Sequence, residues 1–272
     1  MSAHAVFRPA VFSGYATGVL DLTAAGRRIL SVPTQLGCTV GCTFCISSKQ
    51  PLVRNLRAAE MLSMVDLCLL AEPPDERPLE LSFTGEGEPL LNWKQAHLVV
   101  EELVERDLLQ SVRYCLSGIG ADKLLAQVDT DIIPTRLQVS LHTARQAPRD
   151  ELIPRSLPLA ALEAVLLAQA PRFAAIELNV VLQDGVNDTD EDLAALAQWG
   201  CSAWPILLNP KLTDSVPHIA ARTDHFAQAL RAAGREVKVY QRLASAICER
   251  ELYPKMTAQP IKLVRKPANL LV

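Results

Sequence analysis

The 272-residue sequence contains no run of about 18 consecutive apolar residues, so no membrane span and no membrane partner is expected. Its first residues show no basic start followed by a long apolar core, so no secretory signal is read there. An excess of one charge is also missing: 27 basic residues stand against 30 acidic ones, for a net charge of −3. That balance excludes the broadly basic footprint of a dedicated nucleic-acid binder. The modest basic group Lys262, Arg265 and Lys266 reads as a solvated tail. There is no internal repeat and no low-complexity tract. With 49% hydrophobic residues, the chain is not of the disordered class. Its length suits one large α/β domain and requires no second. The seven cysteines are an odd number for a disulfide frame. Thiols of a reducing compartment are more often metal ligands or catalytic groups, and the expected location is the cytoplasm.

What is present is an alternation of strand-like and helix-like runs. Strands are expected at 28–32, 79–84, 111–117, 137–143, 175–182, 204–209 and 236–240. Helices are expected at 56–71, 93–109, near 121–128, near 158–169, near 189–199 and near 222–233. The Pro-rich stretch 72–78 ends the first helix. Repeated β–α units make parallel strands, because each helix returns the chain across the sheet. The fold class is therefore α/β, a partial (β/α)6-type barrel with mainly parallel strands. Its organisation is read as an N-terminal extension (1–27), a core (28–250) and a C-terminal tail (251–272). Chemical groups fall at the C-terminal strand ends, where such folds place their sites: Gly85 to Pro89, Ser117, Ser140 with His142, and Asn209.

"GCTVGCTFC" (37–45) gathers Cys38, Cys42 and Cys45 as C-x3-C-x2-C and has no fourth thiol beside them. A structural zinc site usually has four protein ligands, often as two Cys pairs. Cys68, Cys115, Cys201 and Cys248 are instead scattered singly. The spacing also differs from the bacterial ferredoxin run. Three thiolates on one loop suit three corners of a [4Fe–4S] cluster, with the fourth iron left for a non-protein ligand. A zinc site completed by a distant residue is the alternative. "TGEGEP" (84–89) follows a strand, where glycines permit close backbone approach and free carbonyls can receive an ammonium.

C-x3-C-x2-C after the first β/α strand, with Phe44 before the last cysteine, resembles the radical S-adenosylmethionine (SAM) superfamily. "PTQLGCTVGCTFC", "NLRAAEML", "GEGEPLLN", "VSLHTARQAPRDELIP", "VLQDGVNDTDEDL" and "LLNP" occur in order. Together they resemble the RlmN/Cfr family of RNA adenosine C-methyltransferases over about residues 28–250. The resemblance implies Cys38, Cys42 and Cys45 as cluster ligands. It implies Gly87, Glu88, Ser117, Ser140, His142 and Asn209 as SAM contacts, and an electron donor such as flavodoxin or ferredoxin. Asp184, Gly185, Asn187 and Asp188 are read as a turn and helix cap without chemistry.

The sequence departs from the family in several places. The resemblance implies a resolving cysteine seven residues before Cys38, where this chain has Ser31. An unassisted serine hydroxyl stays protonated at neutral pH and cannot resolve a thioether adduct as a thiol can. Cys248 is the one cysteine in the region of the family's methyl-carrying thiol, although its surroundings differ; a buried small hydrophobe is the alternative. Glu86 stands where the family has methionine, and a carboxylate there could bind an amine or take a proton. With 37 residues before Cys38, the family's N-terminal RNA-handling domain is expected to be missing. These differences point to a radical SAM enzyme acting on a non-rRNA, small-molecule substrate. An RNA methyltransferase borrowing its RNA contacts from a partner is the second reading. A non-catalytic cluster- or zinc-binding regulator is the third.

Overall fold

The computed structural model of the chain describes residues 5–12, 15–22, 27–49, 51–71, 74–210 and 216–240. Strands β1 (Ala5–Phe12) and β2 (Tyr15–Leu22) form an antiparallel hairpin, and β2 pairs antiparallel with β3 (Arg27–Val32). Pro9 lies in β1, the outer strand of the sheet, where its missing N–H costs no ladder bond towards a further strand. Two short strands, β4 (Gln35–Leu36) and β5 (Arg54–Asn55), pair separately and bracket the cysteine loop.

From β3 onward the sheet is parallel. It continues through β6 (Leu79–Phe83), β7 (Ser111–Leu116), β8 (Thr135–Ser140), β9 (Ala175–Leu182), β10 (Ile206–Pro210) and β11 (Val237–Val239). Seven parallel strands in sequence order, without closure, make the partial barrel expected from the β–α alternation. The intervening helices are α1 (Ala58–Ala71), α2 (Trp93–Glu105), α3 (Ala121–Leu124), α4 (Gln146–Leu152), α5 (Leu159–Gln169), α6 (Asp190–Gln198) and α7 (Val216–Ala232).

Helix α1 forms because Met61, Met64, Val65 and Cys68 make one apolar stripe, which is fully buried. Its first turn is fixed by Glu60, which accepts the Arg57 N–H at 2.9 Å and two bonds from Arg54 at 2.8 Å each. Helix α2 repeats the device with Ala96, Val99, Val100 and Leu103. These stripes pack on one face of the sheet only. Along β7, Val112, Tyr114 and Leu116 are buried, while Ser111, Arg113 and Cys115 on the opposite face are only half-buried. Strands β8 and β9 alternate likewise. A parallel sheet covered on both faces reads as a continuous apolar run; here the second face is polar and partly open.

The sequence reading did not anticipate the β1–β2 hairpin, the β4–β5 ladder or α4. Helix α4 carries Pro148 in its first turn and no long apolar stripe, so periodicity does not betray it. The 189–199 segment is a helix capped by Thr189, whose side chain and that of Asp192 form a reciprocal capping box. Asn187 takes a further part, described below.

Candidate cluster and S-adenosylmethionine site

The cysteine loop leaves β4 through Gly37, at φ 72°. A Cβ there would meet the Pro51 carbonyl oxygen at 2.2 Å, so only glycine fits. The Gly37 N–H donates to Glu86 Oε1 at 2.6 Å, and the Glu86 carbonyl accepts from Thr34 and Gln35 at 3.0 and 3.3 Å. Glu86 is half-buried and ties the Gly85–Pro89 loop to the cysteine loop. Burial raises its pKa above the ordinary carboxylate value.

The unanticipated α4 is the floor of this loop. The Thr43 N–H donates to the Leu152 carbonyl at 3.0 Å, and Arg155 donates to the Thr39 carbonyl at 2.6 Å. Val40, Leu152 and Ile153 form a small apolar cluster, separate from the main core, against which Cys38, Cys42, Phe44 and Ile119 pack.

All three loop thiols are partly buried. Burial pushes Cys38 up to about 11 and Cys42 up to about 12, and the neighbouring cysteines add to both shifts. A bare cluster of thiols in this pocket resists ionisation; a bound cation reverses that preference, because coordinated thiols are deprotonated. Three soft thiol donors on one loop suit a soft metal centre such as an iron–sulfur cluster. Another described group, Asp184, Asp188 and His218, has ligand atoms that all lie within 4.8 Å of one another, apart from this loop.

The rim beside the loop is built from strand ends. Gly87, at φ 100°, packs so closely that an added Cβ would lie 2.6 Å from Gln35 Cβ. Gln35 Oε1 accepts the Glu88 N–H at 2.8 Å. The Glu88 side chain is 2% exposed, and its carboxylate accepts the Ser117 N–H at 2.7 Å and the Leu90 N–H at 3.3 Å. Desolvation raises the Glu88 pKa to about 7, against the lowering effect of these bonds. Glu88 and Ser117, expected from sequence at one mouth, are therefore joined directly.

His142 is buried with φ 61°, an uncommon conformation for a residue with a side chain. Its Nδ1 accepts the Val181 N–H at 3.0 Å, which puts the proton of the neutral ring on Nε2. Burial, then the nearby Arg149 charge, pushes its pKa down to about 3, so the ring is neutral at physiological pH. Phe44 stands edge-on to it, with ring centroids 4.6 Å apart, so the cysteine loop touches the end of β8. Asn187 donates to the His142 carbonyl at 2.6 Å and to the Val181 carbonyl at 2.9 Å. Asn187 keeps its place in the turn, where its Oδ1 accepts the Gln183 N–H at 2.8 Å, and it also holds the His142 backbone. Asn209 lies on β10 in register with Val181, one strand from His142.

Ser140 ends β8 in register with Asn179 of β9. Asn179, which the sequence reading passed over, has a buried side-chain oxygen without a hydrogen-bond partner among the described residues. It stands two residues before Val181, on the Ser140 side of the strand, where an acceptor for a ligand N–H or O–H would be useful. Its signal was available in principle, as a polar residue amid the apolar run of β9.

Below this rim the open face carries a polar row. Ser31 is in register with Ser82, whose hydroxyl lies 3.7 Å from Cys115. Cys115 meets Gln138 at 3.4 Å, Gln138 meets Glu177 at 2.7 Å, and Glu177 meets Lys238 at 3.1 Å. Glu80 pairs with Arg113 at 2.5 Å on the same face. Cys248 lies outside the described residues.

A parallel, open β/α sheet with a three-thiol loop beyond its first parallel strand defines a radical SAM barrel. Comparison with solved structures gives the same fold. A radical SAM methyltransferase from Sphaerobacter thermophilus superposes with a TM-score of 0.68 at 24% identity, over 88% of this chain and 76% of that one. A queuine lyase from Clostridium spiroforme, bound to SAM and queuine, superposes at 0.53 with 13% identity, over 90% and 98%. Among curated proteins, the dual-specificity RNA methyltransferase RlmN of Anaeromyxobacter sp. (strain Fw109-5) is 34% identical over 183 residues, 63% of this chain and 48% of that protein. The probable dual-specificity RNA methyltransferase RlmN of Chlorobium phaeovibrioides is 30% identical over 237 residues, 82% and 64%. No family profile matches the chain. The chain is thus similar in sequence to RlmN-type RNA methyltransferases and shares its fold with radical SAM enzymes. It spans about half the length of most of these curated relatives.

Proposed function

We propose that the protein is a [4Fe–4S]-dependent radical SAM enzyme that modifies a polar substrate other than ribosomal RNA, by methylation or by hydrogen abstraction. The observation that carries this reading is the loop of three partly buried thiols, seated against the ends of β6, β7 and β8. Cys38, Cys42 and Cys45 would hold the cluster. Bound there, it would supply the electron for reductive cleavage of SAM to methionine and a 5′-deoxyadenosyl radical.

The chain's own residues bind and orient. Gly87 and Glu88 offer the strand-end edge to the SAM ammonium, and Ser117, Ser140, His142 and Asn209 line the adjoining rim. His142 offers a neutral Nε2–H donor. The polar row from Ser82 to Lys238 favours a substrate rich in hydrogen-bonding groups, small enough to enter the open face. Ser31 cannot act as a resolving thiol, so product release differs from a thioether-resolving scheme. A reducing, cytoplasmic setting and a small electron-transfer protein such as flavodoxin or ferredoxin complete the reading.

The test is anaerobic reconstitution with iron and sulfide, then dithionite and SAM, with 5′-deoxyadenosine and S-adenosylhomocysteine both quantified. Deoxyadenosine alone indicates hydrogen abstraction; both products indicate that a thiol such as Cys248 accepts a methyl group. Neither product from a loaded protein favours the regulator. Cys42→Ala is expected to abolish deoxyadenosine formation and to lower bound iron. An RNA adenosine methyltransferase that borrows RNA contacts is the second reading, favoured by the printed activity of the curated relatives.

A further inference from the structure

Arg149 lies on α4 and is 1% exposed. Its guanidinium donates to the Ser140 carbonyl at 2.9 Å, the Leu141 carbonyl, the Ser117 carbonyl at 2.9 Å and Ser156 Oγ at 3.0 Å. Every one of these acceptors is neutral, and among the described residues Arg149 forms no ion pair. Its Nε has no hydrogen-bond partner among the described residues. A buried arginine is ordinarily paired with a carboxylate, because an uncompensated charge in a low-dielectric interior is expensive. Among the described residues the charge is solvated by three carbonyl dipoles and one hydroxyl, at the point where the ends of β7 and β8 meet the floor of the cysteine loop. Leu152, one turn further along the same helix, accepts from Thr43 and packs against Cys38 and Cys42.

We infer that Arg149 is a positioning residue of the cluster site, a fixed positive charge that raises the reduction potential of the group held by Cys38, Cys42 and Cys45. The inference rests on the function proposed above. Cluster potentials depend on net charge and on nearby hydrogen bonds and burial. Reduction adds one electron to a group already bound by three thiolates, so a permanent cation nearby stabilises the reduced state. The helix that carries the guanidinium also carries the loop: the Leu152 carbonyl accepts the Thr43 N–H at 3.0 Å, and Cys38 and Cys42 pack against the apolar cluster that Leu152 belongs to. Burial lowers the Arg149 pKa only to about 10, so the charge persists at neutral pH. The same fork fixes the carbonyls of Ser117 and Ser140, so its backbone clamp and its charge must be separated experimentally.

The experiment is an EPR-monitored redox titration of reconstituted wild type, Arg149→Lys, Arg149→Gln and Ser156→Asp, each with iron content measured. Arg149→Gln should make the cluster at least tenfold harder to reduce at a fixed potential, a shift of about 59 mV for a one-electron couple. Arg149→Lys keeps the charge and should stay near wild type, even where thermal stability falls. Ser156→Asp places a carboxylate beside the intact guanidinium and should move the potential in the same direction as Arg149→Gln. It keeps the test decisive where Arg149→Gln fails to fold. Equal potentials in wild type and in the loaded Arg149→Gln and Ser156→Asp variants would overturn the inference. So would an Arg149→Lys shift as large as that of Arg149→Gln, which would assign the effect to the clamp. Wild type that takes up no iron overturns the proposed function itself, a result distinct from a loaded protein whose potential ignores these substitutions.

Discussion

Gly87 and Glu88 are neighbours with opposite constraints. Gly87 sits at φ 100° with Gln35 directly over its Cα, so Gly87→Ala must both strain the backbone and push β4 away. The expected cost is about 1–3 kcal/mol, read as a lower urea midpoint, with weaker SAM binding by calorimetry. Glu88 is a buried acid whose pKa rises from the ordinary 4.5 to about 7 in the fold. Between those values the folded chain holds a proton that the unfolded chain has released. Its contribution to stability is therefore complete below pH 4.5 and is lost as the pH rises through 7. Glu88→Gln should flatten the fall in melting temperature of the metal-free protein between pH 5 and 8. The difference removed is on the order of 1–3 kcal/mol. An unchanged pH profile would show that Glu88 ionises normally.

Helix α4 shows how a short element can matter more than its length suggests. Its seven residues supply Arg149 to the strand ends and Leu152 to the cysteine loop. Leu152 is 3% exposed within an apolar cluster of few members, which has little capacity to close over a gap. Leu152→Ala should cost about 2–5 kcal/mol in denaturant unfolding and should reduce iron retained after desalting. The conservative Leu152→Met should restore most of both. Asn187 plays a comparable part from the β9–α6 turn. Its side-chain amide accepts the Gln183 N–H at 2.8 Å and fixes the carbonyls of His142 and Val181. Asn187→Ala should weaken SAM binding while leaving the iron content near wild type, because it loosens the His142 end of the rim and not the thiol loop.

The molecule as a whole has one covered sheet face and one open polar face. The net charge of −3 is not that of a broadly basic nucleic-acid binder. RNA binding by the chain alone should therefore be weak, and its logarithm should fall only gently with the logarithm of salt concentration, since few phosphate contacts release few counterions. Filter binding from 50 to 200 mM salt measures this. A steep slope would favour the RNA methyltransferase reading over the small-substrate one. The β1–β2 hairpin belongs to this scale as well. It covers the edge of β3, which carries Ser31 and would otherwise present an unpaired strand edge.

The sequence by itself determined the strand–helix alternation, the parallel sheet, the three-thiol loop and the strand ends that collect around it. Those features follow from local rules: periodicity sets each element, β–α connections force parallel strands, and parallel strands bring their C-terminal ends to one rim. Tertiary structure alone decided the rest. That Glu86 faces Gly37 depends on positions 49 residues apart in the chain. That Arg149 is a buried cation beneath the loop depends on carbonyls from β7 and β8, which no side-chain pattern announces. The burial of the cysteine loop depends on how it is seated on the small apolar cluster of Val40, Leu152 and Ile153. Backbone acceptors and long-range approach have no residue-type signature, so these contacts become visible only once the chain has folded.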